Sequence, residues 1–258
     1  MRRVSVVVAA ATVAAVIAAI VTLTLSTGSD RASQPGPAWP NSANPREAAS
    51  PVTLRLGFVT EIPQAPALIG LRQDLFADAL RGTGIVLRPV PFRTDAAEAT
   101  ALAAGQLDAA YASASSILAD LASPNGTKIA IVSGTADGKS ALVNLLATRA
   151  FLSAHSTGVL DLVKAQIQAN DLIHHDLLGS AAAYTTELTA LTGQRLPASA
   201  IGASLARTTF TDDPDAASLA AHLPTRLTSV IRAAAPTLYD IAPLDLLLRM
   251  TGERPVTA

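Results

Sequence analysis

The alternation of strand-like and helix-like patterns over residues 52–111 predicts an α/β domain. Segments with apolar residues at every second position and many β-forming residues predict strands over residues 52–59, 85–92 and 107–111. Helical spacing over residues 67–80, and again from Asp95 with Glu98 in a capping-box arrangement, predicts helices that end at glycines. Strands joined through helices run parallel, and their carboxyl ends line a crevice in which ligands bind.

The second half of the chain predicts mainly helices. Apolar residues recur at helical spacing over residues 157–178 and 180–191, and each run stops at a glycine. Asp213 followed by Pro214 predicts another helix start. One further strand is predicted over residues 142–146, and three prolines are expected to divide the remainder into short helices, at Pro224, Pro236 and Pro243.

The N-terminal segment has the pattern of an export signal. Two arginines follow Met1, and an uncharged apolar run then extends to Leu25, which is long enough to span a bilayer. Residues 1–28 therefore predict either a cleaved signal peptide or an uncleaved membrane anchor, and residues 29–51 predict a flexible linker rich in Ser, Pro and Asn. Both readings predict an exported, extracytoplasmic protein that is associated with the cell envelope or anchored in the membrane.

Composition and motifs narrow the functional classes. A net charge of −1 gives no electrostatic footprint for nucleic acid, and the absence of cysteine excludes disulfides, thiolate metal sites and a cysteine nucleophile. The sequence contains no Gly-x-Ser-x-Gly elbow, no His-Glu-x-x-His and no Walker phosphate loop. We therefore expect a binding protein without a cofactor rather than an enzyme.

Three motifs carry a resemblance to a known family. They are Leu54-Arg-Leu-Gly-Phe58, Gly105-Gln-Leu-Asp-Ala-Ala-Tyr111 and Ile129-Ala-Ile-Val-Ser-Gly134. In this order they resemble the first domain of the periplasmic substrate-binding proteins of the nitrate, taurine and aliphatic-sulfonate group. Residues 142–152, with Arg149 and Phe151, and residues 210–219 resemble later parts of the same family, so the resemblance spans roughly residues 52–252.

The resemblance implies the fold of type II periplasmic binding proteins, with one largely complete lobe built on a mainly parallel sheet. That lobe would span residues 52–140, and residues 141–258 would form a residual second lobe and C-terminal helices. It also implies a monomeric solute-binding component of an ABC importer for a small organic anion, such as a sulfonate or nitrate. Its partners would be ABC permease subunits, and the N-terminal segment would reach the membrane.

The sequence departs from the family after the first lobe. Residues 133–140 lead almost directly into the returning strand, where the family continues into most of a second domain. We therefore expect the core of the second lobe to be missing and the ligand to be weakly held. The alternatives are a degenerate or partner-binding paralogue without a transport function and, with less support, an enzyme like those that make the thiamin pyrimidine.

Polar residues follow two of the predicted parallel strands. Thr60, Glu61 and Gln64 follow the first strand, beside a helix N-terminus that can hold an anion or a polar ligand. Ser113 and Ser115 follow the third strand, and their hydroxyls can bind sulfonate or carboxylate oxygens. The alternatives are an ordinary connecting loop for the first group and helix capping by one serine for the second.

Ser133, Gly134 and Thr135 follow the next predicted strand and would face the same crevice. The alternative is a turn that is imposed by Gly134 and Gly138. These three residues complete the predicted ligand site.

One arginine and one pair of histidines could suggest binding sites, but both are interpreted as solvent-exposed side chains. A lone arginine near a strand end, Arg93, is more often hydrated than bound to an anion. His174 and His175 are adjacent on a helix and point in different directions, whereas a metal requires ligands on one helix face. No metal site is predicted.

Overall fold

The computed structural model describes residues 50–121, 128–138, 141–222, 225 and 228–256. The predicted signal or anchor lies outside the described residues, as does nearly all of the predicted linker. Among the described helices, none has both the length and the apolar character needed to cross a bilayer.

A five-stranded mixed sheet forms the centre of the fold, with the strand order β2-β1-β3-β5-β4. The strands are β1 (Val52–Val59), β2 (Ile85–Phe92), β3 (Ala109–Ser113), β4 (Ile129–Gly138) and β5 (Ala141–Thr148). β1 pairs in parallel with β2 and β3, whereas β5 pairs antiparallel with both β3 and β4. Four strands therefore run in one direction and β5 runs against them, which confirms the predicted α/β fold and the predicted added strand.

Eleven helices of the described chain cover the two faces of the sheet. They are α1 (Ala65–Arg72), α2 (Leu75–Ala79), α3 (Asp95–Ala103), α4 (Ala114–Leu121), α5 (Arg149–Ala154), α6 (Ser156–His175), α7 (Leu177–Thr192), α8 (Ala198–Leu205), α9 (Ala216–Ala221), α10 (Thr228–Leu238) and α11 (Ala242–Thr251). The apolar sides of α1, α2, α6, α7, α8 and α11 pack in one core, and those of α3, α4, α9 and α10 pack in the other. Both cores include residues of the sheet, so the sheet lies between two helical layers.

The first predicted helix is interrupted. Residues 67–80 form two helices, α1 and α2, because Asp74 adopts the left-handed region with φ 55° and breaks the hydrogen-bonded spiral. The predicted cap of the next helix is also displaced by one residue. Thr94, not Asp95, caps α3, since its Oγ1 accepts a hydrogen bond from Ala97 N at 3.3 Å.

The boundary between the two long helices lies before the predicted glycine. α6 ends at His175, and the Asp176 carboxylate accepts a hydrogen bond from Gly179 N at 2.9 Å, so Asp176 caps α7. Gly179 therefore lies inside α7, and Ser180, the first residue of the second predicted helix, is a buried residue in the first turn of α7.

The segment before α9 does not begin a helix at Asp213 and Pro214 as predicted. α9 begins at Ala216, and Asp215 is its cap. Residues 209–212 instead lie along the outer edge of β4, where Gly134 N donates to Asp212 O at 2.7 Å and Asp137 N donates to Thr209 O at 2.9 Å. This long-range pairing holds the backbone extended where local signals favour a helix.

Two of the predicted proline breaks can be compared with the helices. Pro236 lies inside α10 and does not end it, whereas Pro243 is the second residue of α11, where a missing N–H costs nothing. Pro224 lies outside the described residues. The edge strand β2 also contains prolines, Pro89 and Pro91, and both are exposed.

We expect Gly134→Ala to destabilise the protein. A Cβ atom at this position would lie 2.5 Å from Asp213 O and 2.8 Å from Thr211 O, so two backbone segments would have to separate. Overpacking of this kind costs about 1–3 kcal/mol in the free energy of unfolding, which urea denaturation measures.

Gly202→Ala is the matched control, because the added Cβ would meet only Ala181 Cβ at an ordinary 3.6 Å inside helix α8. We expect it to leave stability unchanged or to raise it by up to about 1 kcal/mol. Equal effects of the two substitutions would contradict the close approach of residues 211–213 to β4.

Candidate functional site

A cavity of about 330 Å³ lies at the edge of the sheet where β1 and β3 end and β5 begins. Its walls bring together four of the predicted ligand-binding residues from the segment after β1 and from the junction of β3 and α4, namely Glu61, Gln64, Ser113 and Ser115. The other lining residues are Pro63, Asp95, Ala114, Leu142, Val143 and His222. The cavity therefore occupies the crevice that the parallel-strand pattern predicted.

The loop after β1 is fixed in place by Gln64. Its side chain is buried, its Oε1 accepts a hydrogen bond from Val59 N at 2.6 Å, and its Nε2 donates to Asp95 Oδ1 at 3.5 Å. The amide thus joins the end of β1 to the first residue of α3. Glu61 is exposed at the cavity wall and carries the free carboxylate of this loop.

Thr60 is placed differently from its neighbours. Its carbonyl oxygen accepts a hydrogen bond from the Tyr184 hydroxyl of α7 at 3.0 Å, and the residue does not line the cavity. Burial raises the pKa of Tyr184 well above its ordinary value, and the negative charge of Glu61 adds to this shift. Tyr184 therefore stays a donor, and its bond to Thr60 anchors the loop.

Three serine hydroxyls form a cluster where β3 passes into α4. Ser113 Oγ lies 2.8 Å from Ser115 Oγ and 3.4 Å from Ser116 Oγ. Each hydroxyl has one hydrogen to donate, so the three share three hydrogens between two contacts. At least one hydrogen is left for a ligand oxygen, and Ser113 and Ser115 both face the cavity.

Ser133, Gly134 and Thr135 do not follow a strand, contrary to the sequence prediction, but lie within β4, which continues to Gly138. Ser133 Oγ donates to the carbonyls of Gly134 at 3.0 Å and Asp212 at 3.3 Å, and Thr135 is fully buried. None of the three lines the cavity. The strand continues because residues 209–212 hydrogen-bond its outer edge.

Among the described residues, the charged side chains that line the cavity are acidic. The carboxylates of Glu61 and Asp95 face it together with the imidazole of His222, whose Nδ1 donates to Ser218 O at 2.8 Å, and no described lysine or arginine lines it. Asp95 was missed by the sequence reasoning because it was assigned to a helix start although it follows β2, and His222 was missed because it lies at the end of α9, away from any strand end. The described residues contain no group of three His, Asp or Glu side chains that could hold a metal ion.

A buried acid lies one helical turn beyond Asp95. Glu98 of α3 is fully buried, and neither of its carboxyl oxygens has a hydrogen-bond partner. Burial, with a smaller contribution from the charge of Asp95, raises the pKa of Glu98 from its ordinary value of 4.5 to about 9. A Cβ at Gly57 of β1 would lie 3.1 Å from Glu98 Oε1, so the glycine leaves the space that the acid occupies.

We expect Glu98→Gln to stabilise the protein at neutral pH. Because the folded-state pKa lies above the unfolded value, stability is full below pH 4.5 and is lost as the pH rises towards 9. The neutral amide removes this loss, which should amount to about 3 kcal/mol at pH 7. Urea denaturation across this pH range should show the gain shrinking towards zero at acid pH.

Glu187→Gln, at a half-buried position on α7, is the control and should give no comparable gain. A gain for Glu98→Gln that is the same at acid and neutral pH would show that the acid is not held neutral in the folded protein.

Comparisons with known proteins identify the fold. No protein-family model and no curated protein matches the chain. The periplasmic nitrate-binding protein NrtA from Synechocystis PCC 6803 matches with a TM-score of 0.58 at 9% identity, over 77% of this chain and 89% of that one. The periplasmic aliphatic sulphonate binding protein SsuA from Escherichia coli matches with a TM-score of 0.51 at 13% identity, over 80% of this chain and 90% of that one. A Candida albicans protein with the generic periplasmic binding protein fold matches with a TM-score of 0.53 at 8% identity, over 80% of this chain and 98% of that one. The described part of the chain therefore has the fold of the periplasmic binding proteins, in the form that nitrate- and sulfonate-binding proteins share.

Proposed function

We propose that this protein is the extracytoplasmic solute-binding component of an ABC importer and holds its solute non-covalently in the cavity at the ends of β1 and β3. One observation carries the proposal: Glu61 and Gln64 after β1, and Ser113 and Ser115 at the junction of β3 and α4, converge on one cavity at the carboxyl ends of parallel strands. This edge is where open α/β sheets bind ligands.

The fold supports binding and transport over catalysis. Structures with the same fold include proteins named for binding nitrate and aliphatic sulphonate, and one is named as the ligand-binding component of an ABC-type import system. A solute-binding component acts outside the cytoplasm and delivers its ligand to permease subunits. We therefore propose export through the N-terminal segment, a permease partner and a monomeric state.

The chemistry of the cavity limits the solute. The serine hydroxyls can donate to an oxyanion, such as a sulfonate, beside the positive end of helix α4. Glu61 and Asp95 repel a simple anion such as nitrate but attract an ammonium group. A small organic oxyanion that also carries an amino group, as in an aminosulfonate, matches both the serine hydroxyls and the carboxylates of the cavity.

The architecture limits the affinity. The described residues contain a single sheet, and the cavity lies at one of its edges. Two-lobed binding proteins close around a ligand and bury most of its surface, whereas a ligand on one lobe remains partly hydrated. Its polar contacts then compete with water, so the net gain from each hydrogen bond is small.

Isothermal titration calorimetry of the full-length protein with taurine tests this assignment. We expect binding that is weaker than micromolar, and we expect the double variant Ser113→Ala/Ser115→Ala to weaken it by about tenfold or more, because hydrogen bonds to a charged group are lost. Thr186→Ala, at an exposed position of α7 that does not line the cavity, is the control and should leave binding unchanged. Unaltered taurine binding by the double variant would rule out this site.

Glu61→Gln tests the proposed contact between Glu61 and the ammonium group of the ligand. Loss of this carboxylate should weaken binding of taurine but should leave binding of methanesulfonate, which lacks an amino group, unchanged or stronger. Calorimetry with the two sulfonates measures the ratio of their affinities. A ratio that does not change in the variant would contradict the proposed contact between Glu61 and an ammonium group.

A further inference from the structure

A second cavity, of about 470 Å³, lies at the opposite edge of the sheet, where β1, β3 and β4 begin and β5 ends. Its polar wall is made by Arg55, Asp108, Lys128, Thr148 and Arg149. The backbone joins these residues closely, because Arg149 N donates to Lys128 O and Thr148 N donates to Asp108 O, both at 2.8 Å. The cavity is therefore built where strand ends, the segments that precede β3 and β4, and the start of α5 meet.

The carboxylate of Asp108 in this cavity is already paired with Arg55. Arg55 donates to Asp108 with Nε at 2.8 Å and with Nη2 at 2.7 Å, and Arg55 N adds a third bond at 2.9 Å to the same carboxylate. This bidentate ion pair raises the pKa of Arg55 above its ordinary value. Asp108 is thus neutralised by Arg55 and cannot balance a second cation.

The other two cations of the cavity form no salt bridge. No carboxylate of the described residues lies within ion-pair distance of Lys128 or Arg149. Asp120 does not line the cavity; it is buried and accepts hydrogen bonds from the Lys128 backbone N–H, and burial keeps its pKa above the ordinary value although the charges of both cations lower it. The described lining therefore holds three cations and one carboxylate.

One donor of Arg149 is unsatisfied. Its Nη2 atom is buried and has no hydrogen-bond partner, although a guanidinium nitrogen is an obligatory donor. A buried donor without an acceptor costs free energy, and a shift of the guanidinium towards the cavity would present its planar group to the oxygens of an oxyanion. Lys128 is exposed on the wall of the same cavity and supplies a second positive charge.

We infer that this cavity binds a small oxyanion of the phosphate or sulfate type between Arg149 and Lys128. This second site is independent of the proposed solute site, because the two cavities share no lining residue and lie at opposite edges of the sheet.

Titration calorimetry of the full-length protein with inorganic phosphate, at ionic strength held constant with chloride, tests this site. We expect saturable binding in the millimolar range or tighter. Arg149→Gln should weaken it by about tenfold or more, and Lys128→Gln by several-fold, because each removes a charged donor. Arg93→Gln, at an exposed cation outside the cavity, is the matched control and should leave phosphate binding unchanged.

Phosphate could also enter the solute cavity, and Ser113→Ala/Ser115→Ala separates the two sites. Phosphate binding that survives this double variant and fails in Arg149→Gln supports the inference whatever the result with taurine. Binding that is lost in the serine variant and kept in Arg149→Gln overturns it, and so does a wild-type protein that binds no phosphate. If Arg149→Gln does not fold, Lys128→Gln decides, since its side chain is exposed and its loss does not disturb a core.

Discussion

The direction of β5 is the constraint on which both sites depend. This strand fills the space between β3 and β4 and hydrogen-bonds to both, so without it β4 would have no partner within the sheet. Because β5 runs antiparallel to its neighbours, it begins beside the serine cluster and ends beside the second cavity. Its first residues, Leu142 and Val143, line the solute cavity, and Thr148 and Arg149 at its far end line the other. One reversed strand therefore connects the two edges of the sheet.

Some polar groups buried beside the sheet are hydrogen-bonded and others have no partner. On the face of α6, the Tyr111 hydroxyl donates to Gln166 Oε1 at 2.6 Å, and Gln166 Nε2 donates to Gly134 O at 3.3 Å, which ties helix to sheet. On the face of α3, Glu98 is buried without a partner, and so are both amide atoms of Asn144 in β5. Such groups lower stability, and proteins retain local conflicts of this kind mainly near functional sites. Their positions beside Asp95 and Val143 fit that rule.

Local sequence signals located β1 and β2 but not the end of β4. Alternation located β2, which is partly buried on one face, and β-forming residues located β1, which is buried on both faces over residues 56–59. The extension of β4 past Ser133 could not be predicted, since it depends on hydrogen bonds from residues 209–212, about eighty positions away. For the same reason the rule that ligands bind after parallel strands placed Ser113 and Ser115 at the cavity but misplaced Ser133, Gly134 and Thr135. Asp95 follows β2 but was assigned to a helix start, and His222 carries no such signal, because the fold alone brings it to the cavity.

Both edges of the sheet are closed to further strands. At one edge, Pro89 and Pro91 are two positions apart in β2, so their nitrogens lie on the same side of the strand, the side that faces away from β1. Neither proline nitrogen can donate a hydrogen bond to an added strand. At the other edge, residues 209–212 and Asp240 already take the outward groups of β4, with Asp240 N donating to Ile131 O at 2.9 Å. An exposed edge is a template for strand addition, aggregation and domain swapping. The described sheet therefore offers few free backbone groups for strand addition, and we expect a protein that docks on its edges to contact mainly side chains.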